Sequence, residues 1–302
     1  MSDFVNIVEV GPRDGLQNEK NAISISDKVQ LINRLSNAGL QHIEAGSFVS
    51  PRWVPQMANS AEVFQQIQRH SNVIYSALTP NLKGFESALT AKADQVAIFA
   101  AASEAFSQKN INCSIAESIE RFKPLIEAAQ KNKLKVRAYV SCILGCPYEG
   151  DIKAEQVIKV TEQLLALGCY EVSLGDTIGV GTPHQTKQLL TSMLREFNTE
   201  QLALHFHDTY GQAIANQYVA LELGLRTFDS SIAGLGGCPY AKGASGNVAT
   251  EDLVYMLQGA GLKTGIDLDK LIQAGHAVCK ALSRNNNSKV ANAMEPSIRE
   301  EA

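Results

Sequence analysis

Two rhythms of apolar residues divide this chain. Short runs rich in Val, Ile and Leu alternate with longer stretches in which apolar side chains return every third or fourth position, the spacing of one helix face. The short runs read as strands: one starts at Val8, and others lie at residues 40–46, 73–78, 95–99, 135–141, 172–174, 203–206 and 227–231. Helical spacing is clear where Val29, Ile32, Leu35 and Ala38 follow Ser26, a predicted N-cap, and where Gly39 ends the run. Further helices are predicted at 81–91, 115–132, 154–167, 183–197, 212–223 and 248–259. The order helix, glycine, strand recurs around Gly39, Gly168 and Gly224, which is the grammar of repeated βα units. Eight strands alternating with helices point to a (β/α)8 TIM barrel, and an extra C-terminal helical segment follows at 268–283.

Residues 1–284 therefore form a single domain, because no linker rich in Pro, Gly or Ser divides them. The tail 285–302 opens on three asparagines and is expected to be loose. Leu268, Leu271 and Ile272 on the extra helix offer a face for a homodimer. A net charge of -4 and the absence of any long Lys/Arg run exclude general affinity for nucleic acid or anionic membrane, so an anionic ligand must be held locally. Apolar runs are strand-sized, too short for a membrane span. The start, Met-Ser-Asp-Phe-Val-Asn, has neither a basic region nor a long apolar one, and six cysteines without a CxxC pair suit a reducing compartment. The cytoplasm is the expected location.

In such barrels chemistry sits at the C-terminal ends of the strands. The polar residues suited to chemistry fall there: Arg13 and Asp14 after strand one, Glu44 and Ser47 ending strand two, Tyr139 in strand five, Asp176 after strand six, and His205 with His207 ending strand seven. Residues two apart in a strand share a face, so His205 and His207 look into the barrel while Leu204 and Phe206 face the helices. His-x-His alone is also the pattern of satisfied core histidines. A carboxylate, Asp14, at the same mouth makes a metal site the better reading.

After strand eight comes a run with five glycines, residues 233–247, which carries Cys238, Lys242 and Asn247. It can be a phosphate cradle, a plain flexible lid, or a lid whose thiol moves protons if nearby positive charge lowers its pKa. Cys238, set between Gly237 and Pro239, favours the last. Cys142, Cys146, Cys169 and Cys279 read as structural.

Five segments together carry a resemblance: Val-Glu-Val-Gly-Pro-Arg-Asp-Gly-Leu-Gln-Asn-Glu, Ile-Glu-Ala-Gly-Ser-Phe-Val-Ser-Pro, Ser-Leu-Gly-Asp-Thr-Ile-Gly-Val-Gly-Thr-Pro, His-Phe-His-Asp-Thr-Tyr-Gly-Gln and Gly-Leu-Gly-Gly-Cys-Pro-Tyr-Ala. From Ile7 to about Leu257 the chain resembles the 3-hydroxy-3-methylglutaryl-CoA lyase family, within a superfamily of metal-dependent aldolase and synthase barrels. The resemblance implies metal ligation by Asp14, His205, His207 and Asn247. It implies enolate stabilisation by Arg13, proton transfer by Cys238, and support by Glu44 and Asp176. Ser47 and Tyr139 would line the acyl pocket, and Lys20, Lys83 and Asn110 are rim candidates for coenzyme A. A donor set of two His, one carboxylate and one amide suits Mg2+ or Mn2+ and accepts Zn2+ or Co2+. The implied reaction is retro-Claisen cleavage of an acyl-CoA to acetyl-CoA and acetoacetate, with Asp14 or His205 as base. A lyase for larger 3-hydroxyacyl-CoA esters, a Claisen-condensing synthase, and a non-catalytic metal- or CoA-binding barrel are the alternatives. The synthases usually carry a further C-terminal domain, which this length does not accommodate.

Overall fold

The computed structural model describes residues 3–237 and 246–294. Eight parallel strands close into a barrel in chain order: β1 (Asn6–Glu9), β2 (His42–Ser47), β3 (Ile74–Leu78), β4 (Gln95–Ala101), β5 (Lys135–Ser141), β6 (Glu171–Asp176), β7 (Leu202–Phe206) and β8 (Thr227–Ser230). Pairing of Asn6 with Thr227 through Glu9 with Ser230 seals β1 to β8. Around the strands lie α1 (Ile25–Asn37), α2 (Ser60–Gln66), α3 (Leu82–Thr90), α4 (Glu104–Ile111), α5 (Ile115–Lys131), α6 (Ala154–Leu167), α7 (Pro183–Met193), α8 (Ala213–Glu222) and α9 (Thr250–Gly259), followed by α10 (Leu268–Leu282) and α11 (Lys289–Met294). No described helix is long and apolar enough to cross a membrane.

The helix-to-strand glycines behave as their spacing implies. Gly39, Gly168 and Gly224 have φ of 99°, 111° and 98°, a left-handed conformation that ends each helix without the steric penalty a Cβ brings. At Gly39 a Cβ would also lie 2.2 Å from the carbonyl oxygen of Gly265, so a side chain there would push the C-terminal segment off α1. The apolar core fills the layer between strands and helices: Leu202, Leu204 and Phe206 of β7 are fully or almost fully buried on its outer side, as the alternation required. Parallel strands covered by helices leave the barrel interior as the only other face, and that face is strongly polar.

Four expectations change. The N-cap of α1 is Ser24, whose hydroxyl accepts the Asp27 N–H at 3.0 Å; Ser26 lies inside the helix. The short helices α2 and α4 escaped the periodicity reading because each spans too few residues to show a face. The tail is ordered as far as Met294. Asp252 on α9 accepts the backbone N–H groups of Lys289 and Val290 and the Ser288 hydroxyl, capping α11 from a distance in sequence that no local pattern reveals. Residues 295–302 lie outside the described residues. Finally, Leu271 and Ile272 are 0% and 7% exposed, because α10 packs on α1, so the apolar side offered for a homodimer is already used within the chain.

Candidate active site

The first strand delivers Arg13 and Asp14 through a tight π-helical turn, Gly11–Gly15. The carbonyl of Val10 accepts the N–H groups of both Arg13 and Gly15 at 3.1 Å. Small residues are required here: a Cβ at Gly11 would lie 2.5 Å from Glu9 Oε1, and one at Gly15 would lie 2.6 Å from Ser231 Oγ. Glu9 staples the turn to the segment after β8. It accepts Gly11 N–H at 2.7 Å, Ile232 N–H at 2.8 Å and the Thr250 hydroxyl at 2.6 Å.

Arg13 leaves this turn buried and doubly paired, Nε to Glu44 Oε2 at 2.7 Å and Nη1 to Asp14 Oδ1 at 2.6 Å. Burial favours loss of its proton, but Glu44, Asp14 and Tyr139 outweigh it and hold the guanidinium charged. Its Nη2 has no hydrogen bond among the described residues. Glu44 is buried, with Oε1 unpartnered and Oε2 shared with the Tyr139 hydroxyl, which donates at 3.2 Å. Burial raises the Glu44 pKa against the pull of Arg13. A bulge in β2 between Glu44 and Gly46 re-aims the strand end, where Ser47 is buried and accepts the Val49 N–H. The Tyr139 ring meets the His205 ring edge to face, with centroids 5.7 Å apart, and lies 5.5 Å from the Arg13 guanidinium carbon. Leu78, Ala97, Val49 and Phe99 complete a small apolar cluster beside it, separate from the main core.

Asp14 turns its other oxygen to β7. Oδ2 lies 3.8 Å from His205 Nε2 and 4.0 Å from His207 Nε2, and accepts Asn247 Nδ2 at 2.8 Å. Burial would raise the Asp14 pKa, yet Arg13, the two histidines and Asn247 bring it down to about 2. Among the described residues, Asp14, His205 and His207 are the group whose ligand atoms all lie within 4.8 Å of one another. Burial, then the neighbouring His205, pulls His207 down to about 4, so it is a neutral imidazole, and its Nδ1 is buried without a partner. Asn247 faces His207 across a β-bridge and reaches both Asp14 and the Leu235 carbonyl. An ionised carboxylate, neutral imidazole, an orphaned buried ring nitrogen and an adjacent amide form a donor set that fits a divalent cation.

Asp176 ends β6 at the same mouth but is turned into its own loop, accepting Val180 N–H at 3.2 Å and Gly181 N–H at 2.8 Å. Burial pushes it up to about 6. It therefore shapes the loop beside His207, whose N–H reaches the Asp176 carbonyl, and forms no direct bond to Arg13. Lys20, Lys83 and Asn110 are exposed on the segments after β1, β3 and β4, on the mouth side of the barrel. Lys83 edges a surface hollow of about 400 Å³ between α2 and α3. Cys238 lies outside the described residues.

A second charged cluster lies deeper in the barrel, away from the strand ends on which the sequence expectation rests. Arg137 of β5 pairs with Asp229 of β8 through Nη1 at 3.0 Å and Nη2 at 2.7 Å, and with Glu171 through Nε at 2.5 Å. Asp229 also receives the Ser173 hydroxyl at 2.8 Å and meets His205 Nδ1 at 3.3 Å. Charged residues at inward positions of β5 and β8 were the available signal, since a buried charge needs a partner.

The HMGL-like family model matches residues 4–278. A Pseudomonas aeruginosa protein named 3-hydroxy-3-isohexenylglutaryl-CoA/hydroxy-methylglutaryl-CoA lyase is 59% identical over 290 residues, 96% of this chain and 97% of that protein. The chain belongs to the HMGL-like family. Within it, the crystal structure of a hydroxymethylglutaryl-CoA lyase from Pseudomonas aeruginosa superposes with a TM-score of 0.95 at 58% identity, covering 97% of this chain and 98% of that one. An HMG-CoA lyase from Acinetobacter baumannii, solved in complex with coenzyme A and 3-methylmalate, superposes at 0.93 with 41% identity, covering 99% and 97%.

Proposed function

We propose that this barrel cleaves 3-hydroxy-3-methylglutaryl-CoA to acetyl-CoA and acetoacetate with a divalent cation at the Asp14, His205, His207 and Asn247 mouth. The observation that carries the reading is the meeting of a charged arginine with a spare nitrogen and a ligand triad at one barrel mouth, in a chain 59% identical to a lyase along 96% of its length. Hard oxygen and imidazole donors without a thiolate favour Mg2+ or Mn2+. When bound, such a cation lowers the pKa of a coordinated tertiary hydroxyl.

Asp14 and His205 are the two groups at the mouth able to take that hydroxyl proton. As the alkoxide collapses to the ketone of acetoacetate, the electron pair of the broken carbon–carbon bond passes to the thioester as an enolate. Arg13 is the donor for that oxygen, because its charge is fixed by Glu44 and Asp14 and its Nη2 needs no reorganisation to meet charge that develops only during reaction. Cys238 is the candidate acid that returns a proton to carbon. Tyr139 and Ser47, with the apolar cluster of Leu78, Ala97, Val49 and Phe99, receive the acyl group. Lys20, Lys83 and Asn110 are the candidates for coenzyme A. The Pseudomonas relative's name pairs two acyl groups, so a longer 3-hydroxyacyl chain is the second substrate to assay. Five buried free cysteines among the described residues suit a reducing cytoplasm.

His207→Ala tests the site. Metal content and cleavage of 3-hydroxy-3-methylglutaryl-CoA should fall together, and a variant that keeps one bound metal per chain with full turnover would refute the assignment.

A further inference from the structure

His205 and His207 differ in what stands behind them. His207 Nδ1 is buried with no partner, whereas His205 Nδ1 lies 3.3 Å from Asp229 Oδ2. That oxygen already accepts the Ser173 hydroxyl at 2.8 Å and Arg137 Nη1 at 3.0 Å, and the second Asp229 oxygen accepts Arg137 Nη2 at 2.7 Å. Asp229 is fully buried, and Arg137 is itself locked through Nε to Glu171.

We infer that Asp229 is a positioning residue: it fixes His205 as the tautomer protonated at Nδ1, leaving a single lone pair on Nε2 at the barrel mouth. A carboxylate paired bidentately with a guanidinium has no proton to give, so the proton between it and the imidazole must come from the ring. The opposite tautomer would set a nitrogen lone pair against a carboxylate oxygen. Tyr139 packs edge to face on the same ring, with centroids 5.7 Å apart. The free lone pair then lies 3.8 Å from Asp14 Oδ2, where the ligand group converges. One lone pair also means that His205 serves the cation or accepts a proton, and not both at once. Ser173 and Arg137 contribute by holding Asp229, so the device reaches across β5, β6, β7 and β8.

The consequence for metal binding rests on the function proposed above; the tautomer does not. Long-range proton–nitrogen spectra of the full chain labelled with 15N-histidine, without metal and at a pH that leaves the imidazole neutral, should show the His205 proton on Nδ1 and not on Nε2. Asp229→Asn should shift the proton toward Nε2 and weaken Mn2+ binding, measured by calorimetry, by about 10- to 100-fold. If that variant fails to fold, Arg137→Met with Asp229→Leu and Glu171→Gln removes the buried guanidinium along with both of its counter-ions and should show the same two changes. A folded variant with unchanged Mn2+ affinity and an unchanged tautomer would overturn the inference. So would recovery of wild-type affinity in that triple variant, which would reduce Asp229 to a counter-ion for Arg137. Failure of the unaltered chain to bind Mn2+ would instead strike the proposed function, and the His205 tautomer would still decide the inference.

Discussion

Arg13 and Arg137 are both buried, and each lies between two carboxylates, yet their donors are used differently. Arg137 spends every nitrogen on Glu171, Asp229 and Tyr139. Arg13 uses two nitrogens on Glu44 and Asp14 and keeps Nη2 uncommitted among the described residues, beside a partly open carboxylate that faces two histidines. A saturated guanidinium deep in the barrel is scaffolding; an unsaturated one at the mouth is available for chemistry. Tyr139 joins the two, accepting from Arg137 and donating to Glu44.

Removing each cation in turn separates the two arrangements. Arg137→Met strands Asp229 and Glu171 together in the interior and should cost about 3–5 kcal/mol of stability in denaturant unfolding. Arg13→Met should instead lower kcat by about 10²–10³-fold, because it removes charge stabilisation confined to the reacting state. Its fold should tolerate the loss, since Glu44 becomes neutral where burial already raises its pKa. A fully active Arg13→Met, or a destabilisation larger than that of Arg137→Met, would reverse the two roles.

Buried carboxylates that lack an arginine sharpen the point. Burial pushes Glu9 from its ordinary 4.5 up to about 7, whereas Asp14, beside Arg13, is held at about 2. A raised carboxyl favours the protonated fold, so the Glu9 contribution to stability is full below 4.5 and is lost as pH rises through 7. The Asp14 contribution has the opposite sign: it is present above its ordinary 3.8 and lost as pH falls through 2. Across pH 4.5 to 8 the thermal stability of Glu9→Gln should fall less with pH than that of the unaltered chain; Glu251, pushed up to about 8, and Asp176, pushed up to about 6, act in the same direction as Glu9, and His207, pulled down to about 4, opposes them. A slope unchanged in Glu9→Gln would contradict this. The smallest effect belongs to the link between the arginines. Tyr139→Phe should cost about 1 kcal/mol of stability, read from the shift in denaturant midpoint.

Much of this was legible in the sequence because strand-end residues carry chemistry in any such barrel. The ends of β1, β2 and β7 supplied Arg13, Asp14, Glu44, His205 and His207, and the fold brings them together. The second cluster was not read because Arg137, Glu171 and Asp229 sit inside their strands, where local pattern shows a polar residue but not its partner across the barrel. The same limit explains α11: its cap is Asp252, on another helix. Asp176 shows the converse, since a strand-end position was correct for the mouth while its carboxylate was committed to the following loop.

The most direct test of the account is cleavage of 3-hydroxy-3-methylglutaryl-CoA by the full chain, with acetyl-CoA and acetoacetate both quantified, before chelation, after chelation and after Mg2+ or Mn2+ is restored. Equimolar products that vanish with the chelator and return with the metal are the predicted result. Undiminished cleavage after the metal has been stripped, or no cleavage with metal demonstrably bound, would contradict it.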